Sequence, residues 1–376
     1  MSPESASLAR QRAVEVSGNA SVVEGPLQGY HHETYVFPLP GEAGGLWQVR
    51  WKCREPRIGA FWFDRRCFAS EEDLVGALQG RITSIPDIIQ AETVPLQRFI
   101  EGETLGWHYR AGRAIPSSVF GQIVELFRQL VDITPDTLLA KRTCKPADRA
   151  TDRDTSGFLE RLITFTEERV YEQNLEDFGG LFRALGVHDV SFKHLRKQVS
   201  GLNERPFCLL HADLHRENFI LDPEGRLWTI DWELAMLGDP LYDLATHLYL
   251  MRYPKHQEDR MIERWCEVVE EVRTGSSAGW EEDLPKLRDY KKAQSVFTDV
   301  IRESLSLTLH PGPLEPLGAG QEPDPIRLSQ AGRKVHNVLT AAADPLGLET
   351  VPSPQKIKGA LAEWYRDREP GMKHAQ

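Results

Sequence analysis

Residues 1–20 begin polar and turn weakly helical, residues 21–53 alternate large apolar and polar side chains, and most of the chain beyond 105 repeats its apolar positions at helical spacing. SVVEGPLQGYHHETYVFPLP (21–40), a turn at GEAGG and LWQVRWKC (46–53) predict a hairpin and a further strand, because alternate side chains of a strand share one face. Ser70 precedes Glu71, Glu72, Asp73 and an apolar run at Leu74, Val75, Ala77 and Leu78, which predicts a serine-capped helix. TVPLQRFIEGETL (93–105) predicts a short strand running into a turn. Ser117 or Ser118 caps the next helix, striped by Phe120, Val124, Phe127 and Val131, and a second stripe of Phe158, Leu162 and Phe165 spans 155–175.

PFCLLHAD (206–213), NFILD (218–222), a turn at Asp222-Pro-Glu-Gly and RLWTIDW (226–232) then predict short strands. Further helices are predicted at roughly 241–251, 256–273, 285–309, 325–343 and 354–366, with the Pro/Gly-rich 310–325 as a surface loop. Strands first and helices after predict an α+β fold. The expected division is a β-rich lobe at 1–98, a hinge at 99–106 and a larger helical lobe at 107–376.

A chain of 376 residues suits two lobes better than one small core. Its net charge of -11 disfavours nucleic acid as a partner and suits a cationic ligand or a metal-bound nucleotide, although excess acid also serves solubility. Cys53, Cys67, Cys144, Cys208 and Cys266 are scattered with no C-x-x-C pair, as expected of reduced thiols in a cytoplasmic protein without structural zinc. The N-terminal MSPESASLARQRAVEV lacks the apolar core of a signal peptide, and no apolar run approaches the length of a membrane span.

The candidate chemistry lies between Leu210 and Ala245, in LHADLHRENFILDPEGRLWTIDWELAMLGDPLYDLA. Asp213, Asn218 five positions on, and Asp231 offer two carboxylates and a carboxamide oxygen. Such a set suits a magnesium-bound nucleotide and a hydroxyl nucleophile. Asp213 is the candidate general base, and Asn218 and Asp231 are the candidate Mg²⁺ ligands, since that ion takes hard oxygens and few carboxylates. His215 and Arg216 either offset charge on a transferring phosphoryl group or are solvated loop residues. His211 reads as a brace for the loop. Of Asp239 and Asp243, one caps the following helix and the other supports the loop.

A phosphate cation is expected on the strand 46–53, where Arg50 and Lys52 share a face. Lys52 with Glu71 is the preferred pair, against Arg50 and Glu72. The turn PLQGYHHET lacks a G-x-G-x-x-G pattern, no Walker-type loop occurs, and His31 and His32 point to opposite faces of a strand. Glu281, Glu282 and Asp283 read as a solvated helix start, and Trp265, Trp280 and Trp364 as core residues.

HADLHRENFIL (211–221), TIDWELAMLGDPLYDLA (229–245) and QRFIEGETL (97–105) together resemble the aminoglycoside phosphotransferase family. That family shares the two-lobed protein-kinase-like fold and includes choline, homoserine and antibiotic kinases. The H-x-D-x-x-x-x-N spacing is similar to a protein-kinase catalytic loop. The resemblance covers about Ser21 to Pro254, with Ala212 where the family more often has Gly and Arg216 where Pro is common. It implies an ATP- or GTP-dependent O-phosphotransferase using Mg²⁺, with Gln97, Arg98 and Phe99 forming the edge that meets the base. The implied acceptor is a small molecule, an antibiotic first and a small alcohol such as choline or homoserine as the rival. A non-catalytic nucleotide-binding scaffold is a third reading, and a protein kinase is disfavoured because Asp231-Trp-Glu stands in place of D-F-G.

Overall fold

Residues 7–27, 32–39, 49–57, 65–91, 94–308 and 322–367 are described by a computed structural model. The GEAGG turn, the glycine of PLQGYHHET together with His31, and most of the 310–325 loop lie outside the described residues. Helix α1 (Leu8–Ser17) precedes strands β1 (Glu24–Leu27), β2 (His32–Pro38) and β3 (Arg50–Pro56). Helix α2 (Glu71–Leu78) follows, then β4 (Ile88–Ala91), β5 (Val94–Arg98), β6 (Glu103–Thr104), and helices α3 (Leu105–His108) and α4 (Ser117–Asp132). Helices α5 (Thr155–Phe165), α6 (Leu175–Ala184) and α7 (Val190–Gln198) lead to β7 (Cys208–Leu210), β8 (Phe219–Leu221), β9 (Leu227–Thr229) and β10 (Met236–Gly238). The chain ends in α8 (Pro240–Met251), α9 (Lys255–Val272), α10 (Trp280–Ser306), α11 (Pro325–Ala341), α12 (Ala343–Leu346) and α13 (Pro354–Asp367).

Two compact units emerge: residues 1–145 with 206–277, and residues 146–205 with 278–376. In the first, β1 to β5 form an antiparallel sheet in the order β1-β2-β3-β5-β4. Period-2 alternation sorts its two faces. Tyr35, Phe37, Trp51, Cys53 and Leu96 pack with Ala9 and Ala13 of α1, and each large side chain so buried contributes roughly 1.5–3 kcal/mol. Lys52, Arg54 and Gln97 therefore face the other way, toward α2. In the same unit β7 pairs with β10, and β8 joins β6 and β9 in a three-stranded sheet.

The second unit is helical around α10, where the Phe297 and Phe192 rings stack at 4.4 Å and Tyr171 meets Phe297 edge-on at 5.7 Å. The expected helix over 155–175 is interrupted there. Its ladder widens into a π turn at Thr166–Tyr171, where the Thr166 hydroxyl donates to the Leu162 carbonyl at 3.0 Å. Helix α10 begins at Trp280 rather than 285, because Pro285 in its second turn removes only one ladder bond.

Other expectations also need correction. Pro116, not a serine, flanks α4, and its carbonyl accepts the Phe120 N–H at 2.9 Å. Asp283 is not solvated: it is fully buried and accepts the Arg205 guanidinium at 2.8 Å and the Asn203 N–H at 2.7 Å. Trp265 is fully buried, whereas Trp364 is half-buried, stacked on Phe178 at 5.2 Å and donating to the Asp177 carbonyl. None of the five cysteines is joined in a disulfide. Among the described residues no helix is long and apolar enough to cross a membrane.

Candidate active site

All the candidate residues belong to the first unit. Strand β7 hands the chain to loop 211–218, and the β8–β9 hairpin returns it to Asp231. Three anchors hold that loop. The two oxygens of buried Asp243, on α8, accept the N–H groups of His211 at 3.0 Å and Ala212 at 2.7 Å. His247, one turn further along α8, donates through Nδ1 to the Leu214 carbonyl at 2.9 Å, which leaves Nε2 to accept the Tyr253 hydroxyl at 3.0 Å. Arg216 donates to the carbonyls of Met251, Tyr109 and Arg113 at 3.1, 2.8 and 3.0 Å. Asp239 caps α8 through the Leu241 N–H.

Arg216 is thereby corrected. It is buried with its guanidinium committed to three carbonyls, so it clamps the loop and does not face a phosphoryl group. His211 braces, as expected, by donating to the Ile230 carbonyl at 3.1 Å beside the Trp232 ring. Ala212 has φ +65°, where a Cβ crowds the backbone at a cost of roughly 1 kcal/mol. Ala212→Gly should therefore raise unfolding free energy by about 0.5–1 kcal/mol, measured by urea denaturation; an equal or lower midpoint would show the strain is absent.

Burial pushes His247 down to about 3 and His211 to about 4, so both are neutral in the fold. For a depressed histidine, stability is present above the ordinary imidazole value of 6.5 and is lost as pH falls toward the folded-state value. Stability against thermal unfolding should fall between pH 6.5 and 4, by up to about 1.4 kcal/mol per pH unit per histidine. His247→Asn should flatten part of that slope; an unchanged slope would remove His247 from the account.

The reacting groups come next. Asn218 donates through Nδ2 to the Asp213 carbonyl at 2.9 Å and to its Oδ2 at 3.1 Å. His215 Nδ1 accepts the Glu217 N–H, so its proton sits on Nε2, 3.3 Å from Asp213 Oδ2. Burial disfavours the His215 cation, but the Asp213 carboxylate outweighs it and raises the pKa. Asp231 lies in the left-handed region at φ +64°, a strain characteristic of functional positions. Burial first, and then the Glu71, Glu233 and Asp213 charges, raise its carboxyl to about 7, against the opposing pull of Arg54.

This donor set fits a magnesium ion. Asn218 spends its amide hydrogens on Asp213, so its side-chain oxygen makes no hydrogen bond among the described residues. Asp231 sits in a surplus of acid that a divalent cation would relieve. No cluster of three or more His, Cys, Asp or Glu side chains among the described residues could hold a metal by itself, so phosphate oxygens and water would complete the shell of an ion held here.

The expected Lys52–Glu71 pair also needs correction. Fully buried Glu71 is bound by the Arg54 guanidinium and by Gln97 Nε2 at 3.3 Å, and Arg54 also reaches Glu72 at 3.0 Å. Burial opposes ionisation of Glu71, yet Arg54 and then Lys52 hold its pKa below the ordinary carboxylate value. Half-buried Lys52 makes no hydrogen bond or ion pair with the described residues; burial lowers its pKa against the pull of Glu71 and Asp231. Arg50, the alternative, is already engaged: it forks onto Glu101 at 2.6 and 2.7 Å and pairs with Glu24 at 2.7 Å.

The linker is more specific than expected. The Arg98 N–H donates to the Asp87 carbonyl and the Phe99 N–H to the Arg50 carbonyl, both at 2.8 Å. Buried Ile100 has no backbone hydrogen bond through its N–H among the described residues. Sequence reasoning also missed Arg54 and Glu233, the latter 2.7 Å from Arg66 and 3.5 Å from His32. Arg54 was within reach of it, standing in the same two-residue register as Arg50 and Lys52.

These elements define a protein-kinase-like α+β fold, and comparison with known proteins gives the family. The family described as "Phosphotransferase enzyme family" matches residues 83–289, more than half of the chain, and the protein belongs to it. Protein LicA of Haemophilus influenzae strain Rd is 34% identical over 108 residues, which cover 27% of this chain and 38% of that relative. The chain thus matches well under half the length of that curated relative. The apoenzyme of a macrolide 2'-phosphotransferase from Brachybacterium faecium is 13% identical with a TM-score of 0.50, covering 81% of this chain and 100% of that one. A Ralstonia eutropha protein described as an aminoglycoside phosphotransferase is 14% identical with a TM-score of 0.55, covering 86% and 92%. At such identities the likeness is one of fold.

Proposed function

We propose that this protein transfers the γ-phosphoryl group of a nucleoside triphosphate to a hydroxyl of a small molecule. The observation that carries this reading is the convergence within one unit of Asp213, Asn218, Asp231 and Lys52, which makes no hydrogen bond or ion pair among the described residues and feels the charge of Asp231. Asp213 would aim the acceptor hydroxyl in line and take its proton, with His215 holding a proton beside the same carboxylate. Lys52 would meet the phosphates. Asn218 and Asp231 would hold Mg²⁺, which when bound neutralises charge on the phosphate oxygens. The Arg98 carbonyl and Ile100 N–H would meet the base, a shift of one residue from the expected edge.

For the acceptor we place hydroxyl-bearing antibiotics, of the aminoglycoside or nucleoside type, ahead of small amino alcohols. The charge of -11 suits a cationic acceptor of either kind, an aminoglycoside included. The test is nucleotide-coupled phosphoryl transfer, with Mg²⁺, against aminoglycosides, nucleoside antibiotics, macrolides and small amino alcohols. Turnover with amino alcohols alone would replace the antibiotic reading. Failure to bind any nucleoside triphosphate would remove the phosphotransferase reading altogether.

A further inference from the structure

Gln97 carries a polar atom that the site described so far does not use. Only 1% of the residue is exposed, and its Nε2 donates to Glu71 Oε1 at 3.3 Å. Its Oε1 has no partner among the described residues. A buried carbonyl oxygen left unsatisfied loses its hydration with nothing in return, so its retention calls for a donor. The amide cannot turn over to solve this, because Oε1 would then face the Glu71 carboxylate. The contact to Glu71 thus fixes which end is free.

The position of that free end is set by strand alternation. Leu96 points into the core beneath α1, so Gln97 points to the opposite face, directly across the ladder from Lys52. Three residues on lies the Ile100 N–H, which makes no backbone hydrogen bond among the described residues. A nucleotide with its phosphates at Lys52 and its base at residues 98–100 must lay the base edge alongside Gln97. Adenine presents a 6-amino donor on that edge and guanine a 6-oxo acceptor. At position 6 only the first satisfies Oε1.

Resting on the phosphotransferase reading above, we infer that the Gln97 side-chain oxygen accepts the 6-amino group of adenine and makes this protein selective for ATP over GTP. A site built to receive one hydrogen bond discriminates strongly against a ligand that leaves its polar atom unpaired. Opposing two acceptor oxygens adds repulsion to that loss.

The experiment measures dissociation constants of the full chain, with Mg²⁺, for ATP, GTP and purine riboside triphosphate, which lacks the 6-amino group. Wild type should bind ATP at least about tenfold more tightly than either of the others, about 1.4 kcal/mol. In Gln97→Met, similar in size but without the carbonyl, the preference for ATP should fall by at least about threefold, the remainder coming from the Arg98 carbonyl; Gln97→Leu serves if the methionine variant does not fold. Equal binding of ATP and GTP by wild type would overturn the inference, as would an unchanged preference in the variants, while leaving the phosphotransferase reading intact. Absence of binding by any of the three nucleotides would overturn both.

Discussion

Asp213→Asn should lower kcat for phosphoryl transfer by about 10²- to 10⁴-fold, the range expected for loss of a general base. Asparagine keeps the size of the side chain and can still accept from Asn218, so the loop held by Asp243, His247 and Arg216 should keep its shape. Nucleotide affinity should change less than threefold, since Asp213 is assigned to the acceptor hydroxyl. The check is steady-state kinetics with the best acceptor, alongside nucleotide titration. A kcat within a factor of about three of wild type would remove Asp213 from the proton-transfer role. A loss of nucleotide affinity matching the loss of rate would instead place it with the metal ligands.

The second large effect is at Asp231. Asp231→Asn should abolish measurable phosphoryl transfer and the magnesium-dependent part of nucleotide binding. Asparagine tolerates the left-handed backbone at this position, so the change tests the charge rather than the fold. The wild-type carboxylate lies in the field of Glu71, Glu233 and Asp213. Removing it should leave the ligand-free protein as stable as wild type or more so, as happens where a functional site carries its own destabilisation. Thermal unfolding with and without Mg-nucleotide separates the two effects. Wild type at a hundred times Kd should gain about 2.7 kcal/mol, and the variant little or none of the magnesium-dependent share. A variant that retained that share would transfer the metal to other ligands.

Much of the candidate site was legible because its spacing is local. Asp213, Asn218 and Asp231 sit on one loop and one hairpin, so short-range sequence order brings them together. Long-range partnerships were harder. Period-2 alternation put Arg50 and Lys52 on one face and would have added Arg54, yet only the placement of Glu101 and Glu24 decides that Arg50 is occupied. Arg54 takes Glu71 because the planar guanidinium can reach Glu71 and Glu72 together, which a single ammonium does less well. Arg216 looked like a free cation in a loop; its three carbonyl partners come from segments near 110 and 251, invisible at that range. Asp283 misled for the same reason, since Glu281-Glu282-Asp283 reads as a solvated run until Arg205 is brought against it. The α+β order of elements needed none of this and followed from periodicity alone.

The pairing of β6 with β8 restricts where the linker can bend. Glu103 and Thr104 are laced to Leu221 and Ile220, and the Thr104 hydroxyl donates to Glu217 at 2.7 Å. A Cβ added at Gly102, at φ +139°, would lie 2.3 Å from the Leu221 carbonyl oxygen. The downstream half of the linker is thus riveted to the strand that follows Asn218, and upstream the Phe99 N–H is tied to β3. Any swing of the sheet against the catalytic loop must be taken up by the few peptide bonds from Ile100 to Gly102. That makes a short pivot, beginning at the residue whose free N–H would meet the base, so a nucleotide seated there would stiffen the joint it bridges.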